Sequence, residues 1–199
     1  MKGRTVLKSI PNMLTVLRIL LVVPFAWAML NEFYLLALGL LFVAGLTDGL
    51  DGFLARHFGW YSWFGSVADP VADKILLVVS YLILGYLGHM PAWFVYLVVG
   101  RDLVIFSGSF IYWRLVGHFE GKPSWLGKIC TFLLIVFGLM TLVHLALFTM
   151  PASLMLAGQW LVAAACVGSG LHYVYLGVTK ARQHRAEHAR TAPHHDNRD

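Results

Sequence analysis

Long apolar stretches alternate with short polar breaks along the chain. The stretches are close to the roughly 20 residues that a helix needs to cross a bilayer, and the breaks carry the Gly, Pro and polar residues that end helices. The pattern predicts an all-α integral membrane protein with six transmembrane helices, whose approximate limits are Leu14–Leu30, Phe33–Arg56, Phe64–Leu87, Pro91–Leu115, Trp125–Thr149 and Ala152–Thr179.

The charges at the ends of these stretches predict the orientation in the membrane. Basic residues precede the first stretch, follow the second and the sixth, and lie between the fourth and the fifth, whereas the alternate breaks hold Glu32 and no Lys or Arg. Because Lys and Arg favour the cytoplasmic side, both termini are predicted to be cytoplasmic. The basic start and Ala26-Trp27-Ala28 also imitate a cleaved secretory signal, but the polar residues Thr15 and Arg18 favour a retained span.

Composition narrows the class of protein. Of 199 residues, 59% are hydrophobic and 13% charged, whereas about a quarter of the residues of soluble domains are charged. We predict one membrane domain over residues 1–180 and a polar, loosely ordered cytoplasmic tail over 181–199, basic enough to lie on anionic lipid. The net charge of +5 does not indicate nucleic acid, because the basic residues cluster at predicted cytoplasmic helix ends. Cys130 and Cys166 lie in apolar stretches and are assigned no role.

Four aspartates lie inside the second and third stretches, where a charged side chain is costly and indicates function. Residues three or four apart share a helix face, so Asp48 and Asp51 form one stripe, and Asp69 and Asp73 form another. The short cytoplasmic connection makes these two helices antiparallel neighbours. The four carboxylates are therefore predicted to converge at a similar depth.

Four carboxylates this close repel one another or take up protons unless cations neutralise them. Oxygen ligands without His or Cys favour Mg²⁺ or Mn²⁺, and four carboxylates suffice for two divalent ions about 3.5 to 4 Å apart, an arrangement that serves phosphoryl chemistry. Gly52 and Ala55 leave room for a bulky ligand, and Arg56 offers a positive fork to a phosphate oxygen. The alternative is a structural network in which the acids pair with Arg56, Lys74 and Arg101, since three cations almost balance four acids.

The spacing of these residues resembles a known signature. The pattern D-x2-D-G-x2-A-R-x8-G-x3-D-x3-D marks the CDP-alcohol phosphatidyltransferases, and it is matched without departure by Asp48, Asp51, Gly52, Ala55, Arg56, Gly65, Asp69 and Asp73. The segment from Pro11 to Arg18 is similar to the P-N-x-L-T-x-x-R opening of phosphatidylglycerophosphate and cardiolipin synthases. The six-span plan matches this family as well.

The resemblance implies a role for each matched residue. The four aspartates would bind two divalent ions that hold the diphosphate of CDP-diacylglycerol, and the other four residues, Gly52, Ala55, Arg56 and Gly65, would line the nucleotide site. Asp73 would be the base that deprotonates the acceptor hydroxyl, which attacks phosphorus with release of CMP. The resemblance also implies a homodimer. With the orientation predicted from the Lys and Arg residues, we expect an enzyme of the cytoplasmic (inner) membrane whose active site faces the cytoplasm.

The acceptor is predicted from cations outside this signature. Arg101 and Asp102 lie near the middle of the fourth stretch, and Lys128 lies at the start of the fifth. Arg101 either pairs with an acid such as Asp102 or, with Lys128, binds a phosphate on the acceptor. Two cations favour glycerol 3-phosphate, as in a phosphatidylglycerophosphate synthase, and the alternative acceptor is phosphatidylglycerol, as in a cardiolipin synthase.

Two other readings of the intramembrane acids are less consistent with the pattern. An ion-coupled transporter also places acids inside the membrane, but spans four to six show no matching acidic half. A prenyltransferase binds a lipid diphosphate through aspartate-held Mg²⁺, but Gly52, Ala55 and Arg56 and the later G-x3-D-x3-D segment argue against it. Phosphatidyl transfer is therefore the predicted function.

Overall fold

Every regular element in the described part of the chain is an α-helix. The structure, a computed structural model, describes the backbone of residues 10–58, 63–116 and 125–191 and the side chains of residues 16–50, 71–107, 125–175 and 179. These ranges contain six helices and no strand, namely α1 (Ile10–Leu30), α2 (Tyr34–Phe58), α3 (Trp63–Tyr86), α4 (Ala92–Val116), α5 (Trp125–Ala146) and α6 (Ala152–Thr191). The prediction of an all-α protein is confirmed.

The helix ends follow the polar breaks that the sequence predicts. Glu32, between α1 and α2, has a φ of 60°, and Gly88, between α3 and α4, has a φ of 79°. A left-handed residue just after a helix ends it, and Gly88 adopts this conformation without a steric cost. The fifth helix ends three residues earlier than the predicted Thr149, because the chain turns there and the Met150 amide donates a hydrogen bond of 2.7 Å to His144 Nδ1.

The last helix corrects the prediction of a loosely ordered tail for residues 181–191. The sixth stretch is predicted to end at Thr179, where the apolar residues end, but α6 continues to Thr191. The added segment is rich in Ala and Arg, and the first Gly or Pro after Thr179 is Pro193, beyond the end of the helix. Good helix formers extend a helix beyond its apolar part. The division between residues 1–180 and 181–199 stays a prediction based on polarity.

Two of the described helices are long and apolar enough to cross a membrane. They are Trp125–Ala146 and the first part of α6, Ala152–Tyr175, and shorter apolar stretches occupy Val16–Leu30 and Tyr34–Leu50. Large apolar side chains such as Phe132 are also exposed along these helices, which is typical of a surface that contacts lipid. The count of six spans and the cytoplasmic termini stay predictions.

The chain divides into two compact units. Unit 1 comprises Met1–Val95 and Leu134–Gln159, and unit 2 comprises Tyr96–Leu133 and Trp160–Asp199. In unit 1, α1 packs against both α2 and α3. The two helices that carry the predicted acidic stripes therefore both pack against α1.

A buried tyrosine joins three elements of unit 1. Tyr81 of α3 is 1% exposed, and its hydroxyl donates a hydrogen bond of 2.8 Å to the Leu134 carbonyl of α5. Its ring lies 6.0 Å from Phe94 of α4, which makes an edge contact with Phe137 at 5.7 Å. A satisfied hydroxyl and packed rings stabilise such a core. These contacts fix α3 against α4 and α5.

Candidate active site

The centre of the candidate site is an arginine that lies inside an apolar helix. Arg18 of α1 is 1% exposed, and the residues around it in sequence are Leu17 and Ile19. A buried cation is costly unless anions and hydrogen bonds compensate it. The partners of Arg18 therefore show which parts of the protein meet at this point.

Arg18 contacts one aspartate from each acidic stripe. Its Nη2 lies 2.7 Å from Asp48 Oδ1 of α2, and its Nη1 donates a hydrogen bond of 3.1 Å to Asp73 Oδ1 of α3. The side chains of Asp48 and Asp73 are 49% and 52% exposed. The structure thus brings the innermost acid of each predicted stripe to the same guanidinium and leaves both acids accessible.

The other matched residues of the signature lie outside the described side chains. These six residues are Asp51, Gly52, Ala55, Arg56, Gly65 and Asp69. Their backbone is helical, the first four in α2 and the last two in α3. Among the side chains that the structure describes, no group of three or more His, Cys, Asp or Glu residues could hold a metal ion. The four-aspartate site therefore stays a prediction, of which Asp48 and Asp73 are the described part.

The two described acids line a large cavity within unit 1. The cavity has a volume of about 840 Å³. Its polar residues include Arg18, Asp48 and Asp73, which stand at one end of the lining segments of α1, α2 and α3, and its remaining wall is mainly Leu, Phe and other apolar residues. A cavity with carboxylates at one end and an apolar wall fits an amphipathic ligand.

The chemistry of Asp48 and Asp73 fits a hard divalent cation. Both ligands are carboxylate oxygens, both are about half exposed, and both reach the same cavity. Mg²⁺ and Mn²⁺ prefer such oxygen ligands and usually keep further sites for water or phosphate. The described residues would supply part of the ligand set that the sequence predicts.

Arg18 is the residue that sequence reasoning did not place in the site. The pattern puts Arg18 among the basic residues that open the first span, and at the end of the P-N-x-L-T-x-x-R segment. The signal that could have found it is its depth, because it follows four residues after Leu14 in an otherwise apolar run, where a charge indicates function. Its partners could not be predicted, because they come from two other helices.

A second buried arginine organises unit 2. Arg101 of α4 is 6% exposed. Its Nη1 donates a hydrogen bond of 2.6 Å to Asp102, and its Nη2 donates bonds of 3.2 Å to the Gly127 carbonyl of α5 and 3.0 Å to Ser169 Oγ of α6. The predicted pairing of Arg101 with Asp102 is confirmed. Its predicted part in acceptor binding stays a prediction.

Lys128, the other predicted acceptor cation, has different surroundings. It follows Gly127, whose carbonyl Arg101 contacts, and its side chain is exposed. Its ammonium lies 5.7 Å from the centre of the Trp125 ring, a distance at which a cation is attracted by the ring face. Lys128 is thus an accessible cation one residue from the backbone that Arg101 holds.

The two cysteines are also brought together in unit 2. Cys130 of α5 and Cys166 of α6 are free thiols, both buried, with their sulfur atoms 3.5 Å apart. Each lies one turn from a partner of Arg101, Gly127 and Ser169 respectively. Small polarisable thiols pack well against each other at this distance. The sequence indicates no role for these thiols, and their contact is one of helix packing.

Comparison with known proteins agrees with the geometry. The family model described as CDP-alcohol phosphatidyltransferase matches residues 8–171, a range that includes Arg18, Asp48 and Asp73. The chain belongs to the CDP-alcohol phosphatidyltransferase family. Arg101 and Lys128 also lie within the part that this family accounts for.

Three relatives show how far the similarity of this family member extends. It is 40% identical over 103 residues to human cardiolipin synthase (CMP-forming), which is 51% of this chain and 34% of the human protein. It is 31% identical over 183 residues to a probable phosphatidylglycerophosphate synthase of Mycobacterium tuberculosis, covering 86% of this chain and 83% of the relative. It is 32% identical over 135 residues to a Salmonella choleraesuis CDP-diacylglycerol–glycerol-3-phosphate 3-phosphatidyltransferase, covering 62% and 70%. The chain spans about a third of the length of the human relative.

Proposed function

We propose that this protein transfers a phosphatidyl group from CDP-diacylglycerol to a glycerol-type alcohol and releases CMP, as a step of phospholipid biosynthesis. The observation that carries the proposal is the meeting of Asp48 and Asp73 at Arg18, at the polar end of a largely apolar cavity. A substrate with a diphosphate and acyl chains has the same division of polar and apolar parts. Membership of the family supports this activity over the transporter alternative.

The acids of the signature would hold two divalent ions. We propose Asp48, Asp51, Asp69 and Asp73 as the ligands, and the described pair fits this because two half-exposed carboxylates reach one cavity. When bound, the ions would neutralise the diphosphate and the developing charge of CMP. Gly52, Ala55, Arg56 and Gly65 are proposed to line the nucleotide site, on the resemblance alone.

Asp73 is the proposed general base. The acceptor hydroxyl oxygen would form a bond to the phosphorus that carries diacylglycerol, while the bond from this phosphorus to the bridging oxygen breaks and CMP leaves with that oxygen. Asp73 would take the hydroxyl proton, which suits an accessible carboxylate at the cavity. The 52% exposure of its side chain supports this role, since a base must reach the bound acceptor.

The apolar wall of the cavity is suited to an acyl chain. On α2, the lining residues extend from Leu35 to Asp48, which is roughly 20 Å along a helix that rises 1.5 Å per residue. This length is comparable to an extended fatty acyl chain. The carboxylates at one end would then meet the head of the same lipid whose chain lies along the wall.

Glycerol 3-phosphate is the proposed acceptor. Its phosphomonoester carries a charge near −2 at neutral pH, and Lys128 supplies an exposed cation for it, with Arg101 as the proposed second. The Mycobacterium tuberculosis relative named as a probable phosphatidylglycerophosphate synthase matches over most of both chains, which supports this choice. The second candidate is phosphatidylglycerol, favoured by the 40% identity to human cardiolipin synthase.

An acceptor panel tests the proposed function. Purified protein with CDP-diacylglycerol and Mg²⁺ is offered glycerol 3-phosphate, phosphatidylglycerol, inositol phosphate or serine separately, and the lipid products are identified by mass spectrometry. We expect product with glycerol 3-phosphate. Product with serine or inositol phosphate alone would overturn the glycerol assignment, and product with none would overturn phosphatidyl transfer.

Substitution of the two acceptor cations sharpens the same test. Lys128→Ala should raise the KM for glycerol 3-phosphate about tenfold and leave the KM for CDP-diacylglycerol unchanged, because one charge-assisted contact is lost. Arg101→Ala should also raise it if Arg101 reaches the acceptor. An unchanged KM in Lys128→Ala would remove Lys128 from the acceptor site.

The location and assembly of the protein are part of the proposal. We propose that it is integral to the cytoplasmic membrane, with the active site facing the cytoplasm, because the polar end of the cavity lies toward the predicted cytoplasmic ends of α2 and α3. The apolar helices support a membrane location. A homodimer is proposed from the family resemblance.

A further inference from the structure

Arg18 lies further inside its helix than the arginines that set the orientation of a membrane protein. It lies about 12 Å from the start of α1, at 1.5 Å per residue, whereas arginines that set orientation lie at helix ends. Its side chain is 1% exposed. A cation at this depth is costly unless anions compensate it, so its contacts are expected to serve a purpose other than topology.

Among the described side chains, Arg18 is compensated by anions from two different helices. Nη2 of Arg18 lies 2.7 Å from Asp48 Oδ1, and Nη1 lies 3.1 Å from Asp73 Oδ1. Because the guanidinium is planar and rigid, contacts through its two terminal nitrogens define both the separation and the orientation of the two oxygens. Without the cation, the two carboxylates would repel each other.

The contact with Arg18 does not cover the two acids. Their side chains remain 49% and 52% exposed while Arg18 is almost fully buried, and both acids line the cavity. A divalent ion can therefore approach Asp48 and Asp73 while Arg18 still holds them. Arg18 has the arrangement of a residue that orients ligands rather than one that binds substrate.

We infer that Arg18 is a positioning residue that holds Asp48 and Asp73 together before a divalent ion binds. The inference rests on the proposed function and deepens it, because it assigns ion affinity to a residue outside the acidic signature. Residues that orient metal ligands typically contribute about 10- to 100-fold to metal affinity. The opposite possibility is that Arg18 occupies the place of the ion, and its removal would then tighten ion binding.

Mn²⁺ affinity, measured by electron paramagnetic resonance on the full chain in lipid nanodiscs, tests the inference. Arg18→Met should weaken Mn²⁺ binding at least about tenfold, because the ion must then bring two repelling carboxylates together. Arg18→Lys should weaken it less, since Lys keeps the charge but not the two-pronged geometry. The matched control is Val22→Ala, one turn further along α1 at a buried position, which should bind Mn²⁺ as the unaltered protein does.

Thermal unfolding in EDTA gives a second readout that needs no bound ion. Arg18→Met should lower the Tm, and Asp48→Asn added to it should recover part of the loss, because the pair of variants restores the net charge of the three side chains. A double variant with no recovery would show that Arg18 is not the counter-ion. The comparison of the Tm of Arg18→Met with that of the double variant remains informative even if Arg18→Met folds poorly.

The outcomes separate the inference from the proposed function. Mn²⁺ binding in Arg18→Met that equals or exceeds that of the unaltered protein would overturn the positioning role and leave the metal-dependent reaction standing. An unaltered protein that binds no Mn²⁺ would overturn the metal site itself. In that case both the proposed function and the role of Arg18 in ion affinity fail.

Discussion

The two units each contain a buried arginine, but the acids beside the two arginines have different surroundings. In unit 1, Arg18 contacts Asp48 and Asp73, whose side chains are about half exposed on a cavity. In unit 2, Arg101 contacts Asp102, whose side chain is 11% exposed. Arg101 also binds the Gly127 carbonyl and the Ser169 hydroxyl, so it joins α4, α5 and α6.

This difference shows that a buried arginine does not by itself identify an ion-binding site. Both arginines carry a charge inside an apolar helix, and both have an aspartate within 3.1 Å. What distinguishes them is the accessibility of the acid, because a ligand can reach a half-exposed carboxylate but not a covered one. The first arrangement suits ion binding, and the second suits a structural clamp between helices.

Removal of divalent ions is expected to have the largest effect. EDTA should abolish CMP release from CDP-diacylglycerol, and added Mg²⁺ or Mn²⁺ should restore it, because the acids at the cavity would no longer hold the ions that neutralise the diphosphate. A parallel thermal unfolding measurement in EDTA controls for loss of the fold. Full activity in the chelator would contradict the metal-dependent mechanism and remove the functional contrast between the two units.

Replacement of one acid in each unit is expected to have the second largest effect. Asp73→Asn should lower kcat by about 10²- to 10⁴-fold with little change in the KM for CDP-diacylglycerol, because the base is lost while three acids still hold the ions. Asp102→Asn makes the same chemical change beside the other arginine and should lower kcat far less. If kcat and substrate affinity fell together in Asp73→Asn, Asp73 would be mainly an ion ligand.

The smallest expected effect is on stability, and it concerns the clamp of unit 2, which is formed by the contacts of Arg101 with Gly127 and Ser169. Ser169→Ala removes one hydrogen bond to Arg101 and should lower the free energy of unfolding by about 1 kcal/mol, without changing Mn²⁺ affinity. Ser107→Ala is the control, because Ser107 is exposed and bonds only to carbonyls of its own helix in the described contacts. Equal unfolding free energies in the two variants would show that the clamp does not depend on Ser169.

The helices were predictable because their causes are local. Apolar runs and the breaks near Glu32, Gly88 and Pro151 place five helix ends close to those observed, since a left-handed residue or a proline acts on its immediate neighbours. The extension of α6 to Thr191 was missed because apolar length was the criterion. Residues of high helix propensity form a helix in a polar segment as well as in an apolar one.

The acids were predictable, but the residue between them was not. The spacing of Asp48 and Asp73 within the signature follows from the periodicity of a helix, so the sequence predicts which face each occupies. The alternative to bound metal ions paired the acids with Arg56, Lys74 and Arg101 and did not include Arg18, which the structure places at Asp48 and Asp73. Spacing within one helix carries no information about which side chain a neighbouring helix presents.

The sequence by itself determined the helices, the acidic signature and the family, because each depends on residues close together along the chain. Only the tertiary structure decided that Arg18 joins the two acidic stripes in unit 1 and that Arg101 joins Asp102, Gly127 and Ser169 in unit 2. These contacts depend on how helices are rotated and packed against one another. Packing is set by the shapes of many side chains together, so no short sequence pattern encodes it.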